Sequence, residues 1–238
     1  SVHYYQMNTV MKALLRLDLS DCNITEIPDN ALSGKTQLQE LILPSKLQII
    51  GKNAFKDCPY LTGKLNLPTN LTAISEYAFA GTEYTSVTLP YSLKTIGDYA
   101  FYELPLEQKL TLPVKLTNVG AHAFEGTMIT GVTIPDGVTS IGDRAFANTP
   151  IQDHVTIPDG ITNLGKEVFI NTKLSTVFLP NSITKLSQGL FQGCKNLNLV
   201  YIPDNYVGDV MGDLNKRRGA VMGMDPAERK GYTTVHAV

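Results

Sequence analysis

Histidine, cysteine and acidic side chains are the residues of this chain that could catalyse a reaction or bind a metal ion. The four histidines are scattered, with no pair at metal-ligand spacing: His3, His122, His154 and His236. Neither a Gly-x-Ser-x-Gly nucleophile motif nor a Gly-x-x-x-x-Gly-Lys-[Ser/Thr] phosphate loop occurs. We therefore expect no catalytic residue, no cofactor, no metal site and no GTPase activity.

Tyrosine is the residue type whose clustering favours binding instead. Five of the eleven tyrosines fall within 26 residues: Tyr77, Tyr84, Tyr91, Tyr99 and Tyr102. An exposed tyrosine offers a large rigid surface and a hydroxyl group, which suits contacts with proteins or glycans. We take these five as the first candidate binding residues. The alternative is that they only cover the convex side of the fold.

The elements that position these residues follow from an internal repeat. Eight prolines recur every 22 to 24 residues: Pro44, Pro68, Pro90, Pro113, Pro135, Pro158, Pro180 and Pro203. Seven phenylalanines keep the same step, each eleven residues after its proline: Phe55, Phe79, Phe101, Phe124, Phe146, Phe169 and Phe191. This repeat length predicts a stack of similar units, in which neighbours cover each other's apolar residues.

One unit, "ITGVTIPDGVTSIGDRAFANTP" at 129–150, predicts the shape of a coil. "VTI" alternates like a short strand, proline ends the strand, and Asp136-Gly137 favours a turn. Ile141, Ala145 and Phe146 then suit a tight helical or irregular turn. We expect an α/β-type solenoid with one short strand in each 22–24-residue coil.

The central residue of each predicted strand points outward and forms a row along the solenoid. The row reads Asp18, Ile42, Asn66, Thr88, Thr111, Thr133, Thr156, Phe178 and Tyr201. Its last two members place aromatic rings where solvent is expected, so Phe178 and Tyr201, together with His154, are the second set of candidate binding residues. The alternative is that the C-terminal segment covers the two rings.

The three cysteines are interpreted as small buried thiols. Cys58 and Cys194 both lie three residues after the phenylalanine of their unit, but six coils separate them. At about 4.8 Å per strand they would stand roughly 29 Å apart, which excludes a disulfide between them.

The pattern L-x-x-V-x-I-P, turn, I-x-x-I-G-x-x-A-F resembles the leucine-rich repeats of BspA-like bacterial surface proteins, over about 15–203. The resemblance implies a right-handed solenoid, an extracellular or cell-surface location, and binding to proteins of a host or a neighbouring cell. It also implies a recognition scaffold without catalytic residues.

Both ends of such a solenoid need covers, because the outermost coils expose apolar side chains and strand edges. "YYQMNTVMKALL" at 4–15 has apolar residues at helical spacing from Tyr4 to Leu14 and predicts a helical N-terminal cap over 1–14. Residues 204–238 resemble the start of the fifth, C-terminal domain of bacterial elongation factor G, through "GDVMGDLNKRRG" and "VMGMDP". For this tail we expect a helix with Asp204 as its N-cap, then two strands, together forming the C-terminal cap.

Charge and hydrophobicity decide which other classes of partner and location the sequence favours. The formal charge is −2 and no apolar run approaches the roughly 20 residues of a membrane span, so we expect neither nucleic-acid binding nor membrane insertion. The short basic run at 216–218 suits the C-terminal end of a helix. No signal peptide is present and the chain starts at Ser1, which indicates that a targeting segment was removed or that the sequence begins internally.

These expectations leave three functional hypotheses. The first is a monomeric, non-enzymatic adhesion scaffold that binds a protein, or alternatively a glycan, at the bacterial surface. The second is a structural spacer within a larger surface protein. The third is a factor linked to translation through the tail.

Overall fold

In the computed structural model, which describes residues 13–182, 186–208, 221–227 and 231–237, the chain winds into a stack of coils. Nine short strands form one side of the stack. They are β1 (Arg16–Asp18), β3 (Glu40–Ile42), β5 (Thr62–Asn66), β7 (Glu83–Thr88), β9 (Lys109–Thr111), β11 (Gly131–Thr133), β13 (Gln152–Thr156), β15 (Lys173–Phe178) and β16 (Leu199–Pro203). Paired neighbours run parallel with repeat-equivalent residues opposite each other, as Leu17 is opposite Leu41. The solenoid predicted from the proline spacing is confirmed.

A second strand in most coils was not expected. Seven two-residue strands form a continuous parallel sheet: β2 (Glu26–Ile27), β4 (Ile49–Ile50), β6 (Ala73–Ile74), β8 (Thr95–Ile96), β10 (Asn118–Val119), β12 (Ser140–Ile141) and β14 (Asn163–Leu164). The prediction of one strand per coil is therefore wrong. Ile141, for example, faces the core, and its strand pairs with the strands of both neighbouring coils.

The third side of each coil is a turn around the phenylalanine, not a helix. Six of the seven repeat phenylalanines have no exposed surface, and only Phe191 is partly buried. Their rings stack in one column with centroids 5.1 to 5.6 Å apart from Phe55 to Phe169. Backbone hydrogen bonds follow the same column, as the Phe124 amide donates to the Ala145 carbonyl. We call the side of the stack formed by these turns, from Phe55 to Phe191, the turn side.

The C-terminal hairpin extends the strand side of the solenoid. It consists of β17 (Val221–Pro226) and β18 (Tyr232–Ala237), and β18 pairs antiparallel with β16. Val235 is fully buried in the common core, opposite Val200 of the last coil. The two strands predicted for the tail are confirmed.

The helical caps receive no support. Residues 1–12 and 209–220, on which most of the predicted cap helices fall, lie outside the described residues. Asp204 does not cap a helix: it begins the 3-10 turn Asp204–Tyr206, which has no side-chain cap bond, and its carboxylate accepts a hydrogen bond from the Thr233 hydroxyl instead.

Two of the three cysteines are the buried thiols that were predicted. Cys58 and Cys194 are buried and free, and burial raises the pKa of the Cys58 thiol to about 11. Cys22 differs from the prediction because its side of the first coil is exposed.

A glycine column lets consecutive coils approach each other. At five equivalent positions an added Cβ would lie closer than 3.0 Å to backbone atoms of the preceding coil: Gly51, Gly97, Gly120, Gly142 and Gly165. These glycines follow the strands of the seven-stranded sheet, so the close approach is part of the coil spacing itself.

We predict that Gly142→Ala lowers the free energy of unfolding by about 1–3 kcal/mol, the usual effect of overpacking. The new methyl group would meet the backbone of Ala121 and Gly120. Gly131→Ala is the matched control, because its Cβ would meet only the Lys109 side chain, at 3.5 Å. Urea unfolding of both variants measures the difference, and equal stability would contradict the role of the glycine column.

Candidate functional site

One position on the turn side has the same unusual backbone in every coil. It lies two residues before the phenylalanine, or before Leu32 in the first coil, and its non-glycine members all have φ between 53° and 57°. They are Asn30, Asn53, Tyr77, Tyr99, His122, Arg144 and Glu167, and Gly189 follows with φ 65°. Left-handed backbone suits glycine and asparagine and costs other residues roughly 1–2 kcal/mol. Tyrosine, histidine, arginine and glutamate in the middle coils are therefore not the lowest-energy choices.

The middle of this column is a stack of aromatic rings, which we call the tyrosine ladder: Tyr77, Tyr99 and His122. The Tyr77 and Tyr99 rings stack at 4.5 Å and 5°, and those of Tyr99 and His122 at 4.3 Å and 5°. The ammonium group of Lys56 lies 5.0 Å from the Tyr77 ring centroid. Both faces of Tyr99 are thus covered by neighbouring rings, and all three side chains are half-buried.

Tyr102 extends the ladder sideways. Its ring meets the Tyr99 ring edge-to-face, with centroids 5.4 Å apart. A hydrogen bond with Glu103, followed by burial, raises the pKa of Tyr102 to about 12. Burial and the nearby Tyr77 also raise the pKa of Tyr99. Both hydroxyl groups therefore keep their protons at neutral pH and remain able to donate and accept hydrogen bonds.

A buried carboxylate anchors the C-terminal end of the ladder. Glu125 is 7% exposed, and its Oε2 contacts the His122 Nδ1. Its Oε1 accepts hydrogen bonds from the Arg144 Nη2 at 2.6 Å and the Asn148 Nδ2 at 2.9 Å. Burial alone would raise the pKa of Glu125, but its bonds with Arg144 and His122 outweigh burial and hold the pKa below its ordinary value. Arg144 also pairs with Glu167 at 2.5 Å.

The other two clustered tyrosines do not join the ladder. Tyr84 is 5% exposed and packs edge-to-face on the buried Phe79 ring, so it belongs to the core. The reason is its place in β7, where Tyr84 and Val87 are the buried residues on either side of a bulge at Thr85. Tyr91 is 64% exposed on the turn after Pro90, where the Lys115 ammonium lies 4.7 Å from its ring.

The second set of candidate residues lies on the outer face of the C-terminal strands. Phe178 and Tyr201 stack at 4.3 Å, and His154 meets Phe178 edge-to-face at 6.3 Å. Both stacked rings are half-buried, and β18 lies beside Tyr201, with Thr234 opposite it. The four threonines that precede them in the outward row are exposed, as expected.

Sequence reasoning paired Tyr77 with Tyr99 but missed His122, Arg144 and Glu167, the next three members of the column. The repeat step alone could have found them, since each lies two residues before its phenylalanine. Asn30, Asn53 and Gly189 at the same position were the signal for left-handed backbone.

No group of three or more His, Cys, Asp and Glu side chains within the described ranges is arranged to hold a metal ion. The side chains that do converge on the turn side are rings, hydroxyl groups and paired charges, which suit recognition by contact.

The repeat also decides the family. The sequence matches the family described as BspA type leucine rich repeat region, in six copies, over residues 25–152 and 119–209. The chain belongs to the BspA type leucine-rich repeat family.

Solved structures share the fold of this chain. The BspA type chain is similar to a leucine-rich repeat protein from Bacteroides ovatus, with 25% identity, a TM-score of 0.58, and coverage of 77% of this chain and 54% of that one. It is also similar to the leucine rich repeat protein of T. pallidum, with 22% identity, a TM-score of 0.54, and coverage of 84% and 83%. This chain therefore spans about half the length of the Bacteroides ovatus protein.

A short segment of this BspA type chain is similar to a different protein. It is 61% identical over 36 residues to elongation factor G of Aquifex pyrophilus, which is 15% of this chain and 5% of that protein. The match is too short to carry any activity of the translation factor.

Within the described part of the BspA type chain, no helix has the length and apolarity to cross a membrane.

We predict that Glu125→Gln lowers stability at neutral pH by about 1–3 kcal/mol, because a buried, charge-assisted set of bonds is weakened. The native carboxylate has a pKa below the ordinary 4.5, so its contribution is present above that pH and is lost as the pH falls through the lowered pKa. The stability difference between wild type and variant should therefore shrink in acid.

Urea unfolding from pH 7 down to pH 3 measures this difference. Glu83→Gln, which removes an exposed carboxylate, is the control and should differ little from wild type at any pH. A Glu125→Gln difference that is independent of pH would contradict the account.

Proposed function

We propose that this protein is a non-catalytic recognition scaffold of a bacterial cell-surface or secreted protein, which binds a protein of a host or a neighbouring cell. Membership of the BspA type family supports the scaffold role, since such repeats typically recognise other proteins. The solenoid supplies a rigid row of equivalent positions, and the tyrosine ladder fills that row in the middle coils.

The observation that carries the proposal is the presence of Tyr77, Tyr99 and His122 at a left-handed position. Asparagine occupies the same position in two earlier coils, so the coil does not need a ring there. Backbone strain that is kept in spite of a cheaper residue tends to mark functional surfaces. Tyrosine is also enriched among the residues that dominate binding energy at protein interfaces.

The stacking favours a protein over a glycan as the partner. A sugar ring binds best on an open aromatic face, yet both faces of Tyr99 are covered by Tyr77 and His122. The ladder instead presents ring edges and hydroxyl groups. Side chains of a protein partner can donate hydrogen bonds to the hydroxyl oxygens and can pack against the ring edges. Phe178, Tyr201 and His154 form the second candidate surface, in which Phe178 and Tyr201 cover one face of each other.

The domain organisation follows the same proposal. Residues 15–203 act as a right-handed solenoid in a monomer, 1–14 as the remnant of an N-terminal cap, and 204–238 as the C-terminal cap. The burial of Val235 and the pairing of β18 with β16 support the last assignment, because the hairpin covers a strand edge and apolar side chains of the final coil.

The test is binding of the Tyr77→Asn/Tyr99→Asn variant to a panel of purified extracellular matrix proteins, beside a glycan array. The variant uses the residue that Asn30 and Asn53 already place in this column. Loss of ring stacking and relief of left-handed strain oppose each other, so we expect stability within about 1 kcal/mol of wild type.

Binding to the protein partner should weaken at least tenfold in this variant, about 1.4 kcal/mol. Phe178→Thr is the matched control on the other surface, because Thr156 holds the same place in the preceding coil. If the wild type binds no member of the panel, the spacer hypothesis replaces this one. If Phe178→Thr alone abolishes binding, the site lies on the outer strand face and not on the ladder.

A further inference from the structure

Carboxylates border the tyrosine ladder on both sides. Asp98 precedes Tyr99 directly, and Glu103 follows Tyr102 directly, all in one coil. Both carboxylates are exposed. At the positions equivalent to Asp98 and Glu103, the coil before carries Glu76 and Gly81, and the coil after carries Ala121 and Gly126. Asp98 therefore borders one side of the rings, and Glu103 borders the other.

The nearby cations are already engaged. Lys52 pairs with Glu76 at 2.7 Å, and Arg144 pairs with both Glu125 and Glu167. Lys56 lies over the Tyr77 ring. Among the described residues, no lysine or arginine forms an ion pair with Asp98 or Glu103. The bonds that these two carboxylates do make are with neutral donors: the Ala121 amide, at 2.8 Å, and the Tyr102 hydroxyl.

The middle of the turn side is therefore negative in spite of a whole-chain charge close to zero. The chain carries a formal charge of only −2. The local excess of negative charge has a structural cause. Arg144 forms an ion pair with the buried Glu125, so it does not neutralise the exposed carboxylates. The result is a set of tyrosine hydroxyl groups between the exposed carboxylates of Asp98 and Glu103.

We propose that the tyrosine ladder binds a segment of its protein partner that is rich in arginine or lysine; this deepens the proposed function and rests on it. Guanidinium and ammonium groups would donate to Asp98, Glu103 and the tyrosine hydroxyl oxygens. Their aliphatic stems would pack against the ring edges, since neighbouring rings cover both faces of Tyr99.

The arrangement selects against other occupants. An acidic segment would meet like charge on both sides, and an apolar segment would bury exposed carboxylates that have no cationic partner, which is unfavourable. Charge complementarity of this kind mainly speeds association, and salt weakens it, so binding should decline as ionic strength rises.

The experiment measures binding of a labelled alternating Arg-Gly peptide to the full chain by fluorescence anisotropy, with an alternating Glu-Gly peptide as the probe control. The test variant is Asp98→Asn/Glu103→Gln. The matched control is Glu107→Gln/Asp136→Asn, which removes the same charge from exposed positions outside the ladder. Tyr77→Asn/Tyr99→Asn is measured in parallel.

We expect the Arg-Gly peptide to bind, the Glu-Gly peptide not to bind, and Asp98→Asn/Glu103→Gln to weaken binding about tenfold, equivalent to about 1.4 kcal/mol. The control variant should change it less than threefold. Equal weakening by both double variants would show a diffuse field effect and overturn the proposal, as would binding that does not depend on salt.

The same variants separate this inference from the proposed function. If a panel protein loses binding with Tyr77→Asn/Tyr99→Asn but not with Asp98→Asn/Glu103→Gln, the ladder is the site and the basic partner is wrong. If neither variant affects a bound panel protein, both proposals fail.

Discussion

The stacked phenylalanine column is the interaction on which the rest of the structure depends. A single coil is too thin to cover its own phenylalanine, so the ring of Phe124 is buried only because Phe101 and Phe146 lie on either side of it. Each strand pair, each glycine contact and each turn keeps the spacing that this stacking requires. The burial of the apolar side chains therefore depends on contacts between neighbouring coils and not on any one coil alone.

This constraint separates the positions that must stay constant from those that are free to vary. Gly120 and Gly142 have no freedom, because backbone of the preceding coil occupies the space of a side chain. Two residues before each phenylalanine the opposite holds: the backbone angle is set by the coil, while the side chain reaches the surface. The protein uses that freedom differently along the stack, with asparagine first, then rings, then the paired charges of Arg144 and Glu167. The side chains at this surface can therefore change without altering the coil beneath them.

The parts of the fold that repeat were predictable, and the parts that depend on backbone detail were not. Proline and phenylalanine spacing predicted the coils and the buried column, because both reflect side-chain burial. The two-residue strands were missed because a pair such as Thr95 and Ile96 is too short to show alternation. Tyr84 was misassigned because composition alone does not reveal which side of a strand a tyrosine occupies. Tyr77 and Tyr99 were paired correctly from the repeat, but the left-handed backbone that explains the column is visible only as scattered asparagine and glycine.

The same dependence on neighbours makes the end of the stack the most informative place to probe. In this account the last coil needs the hairpin, which buries Val235 against the core and pairs β18 with β16. The most direct measurement is urea unfolding and sedimentation of the chain that ends at Pro203, compared with the full chain. The account predicts a lower unfolding midpoint and self-association through the exposed strand edge. A shortened chain that is as stable and as monomeric as the full chain would contradict it.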